Sequence, residues 1–466
     1  MPNDNIEVVI LAAGLGTRMK SATIKILHRA AGRPIIDYVL DLASDVCSRP
    51  PVLVVGHQRD AVQKSVGERA RYAVQDQQLG TGHAVLQAAA LLEKEDLRGR
   101  RVLILSGDVP LTRKETLRQL VEEHESAGNA LTLLTMRLPD PAMYGRIVRG
   151  EDGDVLRIVE AKDASDEERR IDEVNAGIYL FDAEHLFENL RSLSNDNSQG
   201  EYYLTDLLAT VRSAGHRVGA LIVSDPVEAL GVNSRAELAL VEDEIQRRVV
   251  TRLMAEGVTF RNPSTVVIDS TVSIGQDTVV YPFVTLEGLT RIGEGCVIEP
   301  GVHLVNVTVG DDVHLKTGTV AEDAIIADDA TVGPYAHLRP GTHLGRHVKV
   351  GNFVETKKAV FGEGSKASHL SYIGDAEIGA DVNIGAGTIT CNYDGVNKHK
   401  TVLEDGVFIG SDTQLVAPVR IGKGAYVGAG STITKDVPAD ALALSRVPQK
   451  IVEGWAVRRR EQLRKK

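Results

Sequence analysis

A glycine-containing loop near the start of the chain has the residue types that bind phosphate. In the stretch VVILAAGLGTRM an apolar run leads into Gly14 and Gly16, and Arg18 and Lys25 follow. Glycine allows backbone N–H groups to approach anionic oxygens closely, and two nearby cations would stabilise the charge of a phosphoryl group. The dinucleotide fingerprint requires a third glycine where Met19 stands. The loop alone leaves open a dinucleotide, another phosphate or a simple strand-to-helix turn.

A single carboxylate follows a second apolar run. The stretch VLILSGDVPL places Asp108 directly after a predicted strand. Magnesium prefers one or two carboxylates together with substrate phosphates, so Asp108 is a candidate metal ligand. The alternative interpretation is that Asp108 only caps the turn that follows the strand.

A third group of reactive side chains lies in the second half of the chain. The stretch 351–375 carries two lysines, a histidine and a tyrosine, at Lys357, Lys358, His369 and Tyr372. Transfer of an acyl group from a thioester to an amine needs a base near neutral pH, and histidine suits that role. A lone histidine is more often structural, but His369 stands among cationic and aromatic residues.

The first half of the chain has the pattern of a layered α/β domain. Apolar runs alternate with helical patterns up to about residue 232, with predicted strands at 8–11, 52–55, 102–105, 131–136 and 178–181. Such alternation is typical of a mainly parallel sheet, which binds ligands at the carboxyl ends of its strands. The stretch SRAELALVEDEIQRRVVTRLMAEG then predicts a connecting helix, because serine precedes it and glycine ends it.

From Val258 to about Val437 aliphatic residues recur every six positions. The series begins Ile268, Ile274, Val280 and Leu286, and it returns after interruptions at 351–375 and 390–400. A sustained six-residue repeat indicates short strands wound into stacked coils, each of which buries its aliphatic face against its neighbours. Because uninterrupted hexads act as scaffold, we expect the functional residues at the two interruptions.

Composition narrows the class of protein. The formal net charge of −11 argues against broad nucleic-acid binding, which requires clustered Lys and Arg. Three cysteines, Cys47, Cys296 and Cys391, fit neither a disulfide framework nor zinc spacing, so we expect a reducing, cytoplasmic location. The sequence shows neither a signal-peptide pattern nor an apolar stretch of membrane-spanning length, and we expect no membrane partner.

Several motifs in order resemble the sugar-nucleotide uridylyltransferases. They are LAAGLGTRM, Lys25, QQLGTGHA, SGD, YGR, IVEAKDA, NAGIY, GEYYLTD and GVNSR. Together with the hexads, nearly the whole chain resembles the bacterial family of bifunctional UDP-N-acetylglucosamine pyrophosphorylase/glucosamine-1-phosphate N-acetyltransferases. The resemblance implies an α/β, Rossmann-like nucleotidyltransferase domain, joined by a helix to a left-handed parallel β-helix. It also implies UTP, acetyl-CoA and Mg²⁺ as co-substrates and cofactor, and a homotrimer with active sites between subunits.

For the first domain, the resemblance implies the following roles. The uridine and phosphates would contact Leu11, Ala12, Ala13 and Gly14, the uracil and ribose Gln75, Gly80 and Thr81, and the acetylated sugar Gly145, Glu160 and Asn175. Ser106 and Gly107 would complete the substrate site, Asp108 and Asn233 would bind Mg²⁺, and Arg18 and Lys25 would neutralise the triphosphate. The loop would then hold a nucleoside triphosphate.

For the second domain, the resemblance makes His369 the catalytic base. The sugar phosphate would contact Arg339, Lys357, Tyr372 and Asn383, and acetyl-CoA would contact Ala386, Asn392, Tyr393, Ser411, Ala429 and Arg446. We add the hypothesis that Glu355 orients His369. Lys398 is interpreted as a solvated loop charge.

We expect domains at 1–232, 257–450 and a linker helix at 233–256, with a basic tail at 451–466. Two positions depart from the family pattern. Ile24 stands before Lys25 where the family has proline, and Ser368 stands before His369 where relatives often have a smaller or different residue. Two alternatives remain, a single-function pyrophosphorylase with a regulatory β-helix and a non-catalytic assembly subunit. The first gives no reason for His369 and the CNYDG insertion, and the second would not need to keep Arg18, Lys25 and Asp108 together.

Overall fold

The computed structural model describes residues 3–14, 16–93, 97–197 and 199–464. The chain divides into two compact units, residues 1–247 and 248–466, with the boundary inside a long helix. That helix, Arg235–Ala255, begins where the sequence predicts, because Ser234 and Glu237 cap it reciprocally. The Glu237 N–H donates to Ser234 Oγ at 3.3 Å, and Ser234 Oγ donates to the Glu237 carboxylate at 2.9 Å.

The first unit is built around one mixed sheet. In spatial order its strands are Val218–Ile222, Leu131–Arg137, Glu173–Asp182, Arg101–Ser106, Ile6–Leu11, Val52–Val55 and Arg71–Val74, with Arg146–Arg149 and Val155–Val159 at one side. All five strands predicted from the apolar runs are present. The sheet is mainly parallel, but strand Glu173–Asp182 runs antiparallel to both of its sheet neighbours.

Helices cover this sheet. They are Ile35–Val46, Arg59–Val66, Thr81–Leu92, Lys114–Ala127, Ala183–Leu190 and Asp206–Ser213. Their apolar residues join the strand residues in a core that includes Val54, Ala88, Ile104 and Phe181. A rigid sheet with loops at its carboxyl edge is what holds the predicted ligand-binding residues in place.

The second unit is a parallel β-helix, which confirms the predicted fold class. The strands of one sheet are Thr259–Phe260, Val279–Val280, Val297–Ile298, His314–Leu315, Thr331–Val332, Lys349–Asn352, Lys366–His369, Asn383–Ile384, Phe408–Ile409, Tyr426–Val427 and Leu442–Ala443. Most coils take 17 or 18 residues, so Val267 pairs with Thr285, and Lys349 pairs with Lys366. Three hexads therefore make one coil.

A second, longer sheet forms the other strand-bearing faces of the coil. Its strands are Val267–Ile268, Ser273–Ile274, Thr285–Glu287, Arg291–Ile292, His303–Val305, Thr308–Val309, Val320–Glu322, Ile325–Ile326, His337–Leu338, His343–Leu344, Glu355–Phe361, Tyr372–Ile378, Ile389–Cys391, Thr401–Leu403, Gln414–Val416, Val419–Ile421 and Thr432–Ile433. The repeating aliphatic residues point inward and are buried.

The two interruptions of the hexads differ in structure. The second, at 390–400, is an inserted loop, since Asn383 pairs with Phe408 and the coil there takes 25 residues. The first, at 351–375, is not an insertion, and its interpretation as a break in the coil is wrong. Thr356 and Ala367 take two of the inward positions there and are fully buried, as are Phe361 and Ile373, so the coil continues with small or polar residues at only some of these positions.

The C-terminal helix Trp455–Arg464 is exposed along its whole length. Within the described part of the chain, no helix is both long and apolar enough to cross a membrane.

Candidate active sites

A cavity of about 490 Å³ lies at the carboxyl edge of the sheet in the first unit. Strand Ile6–Leu11 leads into it, and Ala12 is held by its N–H, which donates to the carbonyl of Val54 at 2.9 Å. Most of the predicted nucleotide-binding residues line it, namely Leu11, Ala12, Ala13, Gly14, Lys25, Gln75, Gly80, Thr81, Ser106 and Asp108. The cavity is also lined by four residues that were not predicted from the sequence, Ile26, Gln78, Ala84 and Glu201.

Two glycines of this cavity have clear structural reasons. Gly80 has φ +105°, and a Cβ there would lie 2.6 Å from the carbonyl oxygen of Tyr202, so only glycine fits. A Cβ at Gly14 would meet nothing within 4 Å, so the space beside that backbone is open to a ligand. The wall of the cavity therefore combines a fixed turn with exposed backbone.

Lys25 brings together the two residues predicted to bind magnesium. Its Nζ donates to Asp108 Oδ2 and, at 3.0 Å, to Asn233 Oδ1. The two oxygens therefore face the same point although they lie far apart in the sequence. One carboxylate and one amide oxygen suit Mg²⁺ that keeps water and substrate phosphates as its other ligands. The described residues contain no cluster of three or more His, Cys, Asp or Glu that could enclose a metal ion.

The three residues predicted to hold the acetylated sugar also converge. The Asn175 N–H donates to the carbonyl of Gly145 at 2.9 Å, and a Cβ at Gly145 would lie 3.5 Å from both carboxyl oxygens of Glu160. Burial raises the pKa of Glu160, partly offset by Thr205, whose hydroxyl donates to its carboxylate at 3.4 Å. Arg18 lines a separate cavity of about 440 Å³ together with Glu160.

In the second unit His369 is exposed at the end of strand Lys366–His369. Its Nδ1 donates to Asn352 Oδ1 at 2.7 Å, from the preceding coil. This bond places the proton of the neutral imidazole on Nδ1 and leaves Nε2 free to accept one. The hypothesis that Glu355 orients His369 is wrong, because the Glu355 carboxylate binds Arg339 at 2.8 Å instead.

A cationic cluster forms on the next face of the coil. Glu355 and Tyr372 are register partners on adjacent strands, and Arg339, just after the strand His337–Leu338, donates to the Glu355 carboxylate at 2.8 Å. The pKa of Lys357 is lowered, first by its close neighbour Lys398 and then by Arg339. Positive charge is therefore concentrated around Lys357, and such a group of cations attracts anions. Lys398 is exposed, as a solvated loop charge would be, and it lies close to Lys357.

Most of the residues predicted to bind acetyl-CoA lie along one edge of the coil. The Asp412 N–H donates to the carbonyl of Ala386 at 2.7 Å, and the Gly430 N–H donates to that of Ser411 at 2.8 Å. Arg446 Nη1 donates to the carbonyl of Ala429 at 2.8 Å. His369 lies on the same edge. Leu370, which follows it, accepts at its carbonyl from the N–H of Gly387, which follows Ala386.

The remaining predicted residues lie near this edge. Asn383 opens the strand Asn383–Ile384, between Lys366 and Phe408. Tyr393 is exposed in the inserted loop. Asn392 is only 7% exposed, and its amide donates to Asp375. Within one subunit, the Asn392 side chain therefore anchors the inserted loop.

The fold and these sites define a two-unit transferase, a nucleotidyltransferase followed by a hexapeptide-repeat transferase. Comparison with known families agrees, since residues 7–226 match the nucleotidyl transferase model, and residues 400–435 match the bacterial transferase hexapeptide model. Residues 263–361 match the GMPPB C-terminal domain model.

Relatives match along the whole chain. Proteins named bifunctional protein GlmU are 55% identical in Syntrophotalea carbinolica, 52% in Pelobacter propionicus and 51% in Geobacter sulfurreducens. Each match covers 98% of this chain and at least 98% of the relative. The chain therefore belongs to the GlmU family of bifunctional proteins, and it is an enzyme that carries out uridylyl transfer and acetyl transfer.

Proposed function

We propose that the chain makes UDP-N-acetylglucosamine in two steps, acetylation of glucosamine 1-phosphate and then uridylylation of the product. The product would supply the synthesis of peptidoglycan and lipopolysaccharide. The observation that carries the proposal is that one chain has both a phosphate-type site, Lys25 with Asp108 and Asn233, and a base-type site, His369 with Asn352. A regulatory β-helix or an assembly subunit would need neither His369 nor its cationic neighbours.

In acetyl transfer, His369 Nε2 takes a proton from the amine of glucosamine 1-phosphate. The amine nitrogen attacks the thioester carbonyl of acetyl-CoA, a C–N bond forms, and the C–S bond breaks as the CoA sulfur leaves and is protonated. Arg339, Lys357 and Lys398 bind the sugar phosphate and orient the amine. Tyr372 and Asn383 contact the sugar, and the backbone N–H of Ala386 stabilises the oxyanion of the tetrahedral intermediate.

In uridylyl transfer, a phosphate oxygen of the acetylated sugar attacks the α-phosphorus of UTP, and pyrophosphate leaves. The chain contributes position and charge rather than a covalent intermediate. Lys25 stabilises the negative charge of the triphosphate, and the backbone of the loop at Gly14 approaches its oxygens. Asp108 and Asn233 would hold Mg²⁺, which supplies further positive charge at the phosphates. Arg18, predicted to neutralise the triphosphate, shares a cavity with Glu160, so we place its positive charge where the sugar phosphate meets the triphosphate.

We also propose that the active form is a homotrimer, because His369 lies exposed on the single chain. Beside it, the exposed side chains of Tyr335, Phe353 and Leu370 form a stripe along the same edge of the coil, and the two aromatic rings stack at 5.8 Å. A neighbouring subunit would cover this stripe and close the acetyl-transfer site. Sedimentation of the full chain should then give about three times its mass of 50.3 kDa.

The three cysteines are free thiols, which supports the proposal of a reducing, cytoplasmic location.

A coupled assay tests the proposed function. The full chain is incubated with glucosamine 1-phosphate, acetyl-CoA, UTP and Mg²⁺, and both CoA thiol and pyrophosphate are measured. We expect both products, with pyrophosphate dependent on acetyl-CoA. Release of one product alone would refute one of the two activities.

The raised pKa of Glu160 predicts a pH-dependent affinity for the sugar. Only the ionised carboxylate accepts hydrogen bonds from sugar hydroxyls with both oxygens. Burial raises the pKa of this carboxyl, so it is protonated closer to neutral pH than an exposed one. We expect the KM for N-acetylglucosamine 1-phosphate to rise as the pH falls through this raised pKa, and Glu160→Gln to remove that dependence. The exposed control Glu122→Gln should keep it, and an identical pH profile in Glu160→Gln would contradict the assignment.

A further inference from the structure

The amide of Asn175 is fixed at both of its ends. The Gly177 N–H donates to Asn175 Oδ1 at 3.0 Å, and Asn175 Nδ2 donates to the phenol oxygen of Tyr179 at 2.5 Å. With its oxygen bound to Gly177 and one N–H bound to Tyr179, the amide has a second N–H left for a ligand. Asn175 therefore offers the ligand a hydrogen-bond donor.

The backbone between these residues makes this orientation rigid. The strand Glu173–Asp182 has a register shift between Asn175 and Tyr179, which brings their side chains together. Gly177 has φ +73°, and a Cβ there would lie 2.9 Å from Ser106 Oγ. Ser106 Oγ itself donates to the Gly177 carbonyl at 3.0 Å. The turn that supplies the Gly177 N–H is thus held from the neighbouring strand.

Tyr179 is a fixed part of the core rather than a mobile surface group. Its side chain is 6% exposed, and its ring lies 6.3 Å from that of Phe181. Burial raises its pKa, so the phenol stays neutral and its oxygen remains an acceptor for the Asn175 amide.

We propose that Tyr179 is a positioning residue that determines specificity for the acetylated sugar, by holding the Asn175 amide with an N–H toward the substrate. The carbonyl of an acetamido group accepts that N–H. The ammonium of unacetylated glucosamine phosphate has donors only, so it would leave both groups unpaired. This arrangement makes uridylyl transfer selective for the product of acetyl transfer. The inference rests on the proposed function, which places Asn175 at the sugar.

The test compares two sugar phosphates in the uridylyl-transfer reaction of the full chain without acetyl-CoA. Pyrophosphate release is measured with N-acetylglucosamine 1-phosphate and with glucosamine 1-phosphate. The readout is the ratio of kcat/KM for the acetylated sugar to kcat/KM for the unacetylated sugar. We expect Tyr179→Phe to lower this ratio by about three- to tenfold, the worth of one hydrogen bond, without a change in the KM for UTP. Asn175→Asp, which offers the amine an acceptor, should lower the ratio further.

The control is Tyr72→Phe, which removes another phenol, bound to the Gly67 carbonyl, from an edge strand of the same sheet. It should leave the ratio unchanged. A merely structural role of Tyr179 would lower activity with both substrates equally, and that result would overturn the inference, as would an unchanged ratio in both site variants. Absence of pyrophosphate release by the unaltered protein would instead count against the proposed function.

Discussion

Replacement of His369 by alanine is expected to lower the rate of acetyl transfer by about 10²- to 10⁴-fold, the usual contribution of general base catalysis. The amine of the sugar is protonated near neutral pH. Because His369 Nδ1 donates to Asn352, Nε2 of His369 is left to accept the proton of the amine. Release of CoA thiol measures this step. Pyrophosphate release from N-acetylglucosamine 1-phosphate and UTP should be unchanged, since that reaction takes place in the other unit.

Two further variants separate the base from its support. Asn352→Ala should cause a smaller loss, up to about tenfold, because it removes one hydrogen bond but leaves the imidazole in place. His303→Ala removes a histidine bound to Glu287 in an earlier coil and should have no effect. If His369→Ala kept the normal rate of thiol release, the acetyl-transfer mechanism proposed above would be wrong.

The hexad pattern predicts the β-helix because its physical cause is local. Most inward positions are aliphatic, because each coil buries this face against the next, so Ile268 and Leu286 identify their coils. The same reasoning fails between 351 and 375. Thr356 and Ala367 also fill inward positions, and a small or polar residue there conceals the repeat.

The partners of the site residues were harder to predict, because they depend on the register of the coils. Asn352 is 17 positions before His369, one coil earlier, and is its register partner. Glu355 is 16 positions after Arg339 and binds it for the same reason. A rule that residues one coil apart are neighbours would have found both pairs. No such rule places Lys398, since it lies in the inserted loop.

In the first unit, the sequence predicts the strands and the residues at their carboxyl ends, but not the contacts between distant segments. Asn233 meets Asp108 only because the chain returns to the sheet edge after more than a hundred residues, and Lys25 joins the two. The resemblance of the motifs supplied these assignments, and the geometry explains why the three residues act together.

Lys25→Met is expected to lower the rate of uridylyl transfer by about 10²- to 10³-fold, the cost of losing one charge-stabilising donor at the phosphates. Methionine keeps the unbranched stem of lysine and removes only the charge. This stem packs against Gly16, where an added Cβ would lie 2.7 Å from the Cβ of Lys25. Pyrophosphate release measures the effect. Lys64→Met, an exposed lysine on the helix Arg59–Val66, is the control and should retain full activity.

The acetyl-transfer reaction gives this prediction an internal standard, because thiol release by Lys25→Met should equal that of the unaltered chain. Lys25 follows Ile24, which stands where the family has proline. The φ of Ile24 is −58°, the value that proline would impose. The backbone before Lys25 thus already has the conformation that the family's proline fixes, and the ammonium can reach Asp108 without it. A Lys25→Met or Lys25→Ala variant that released pyrophosphate at the normal rate would show that this ammonium does not stabilise the triphosphate.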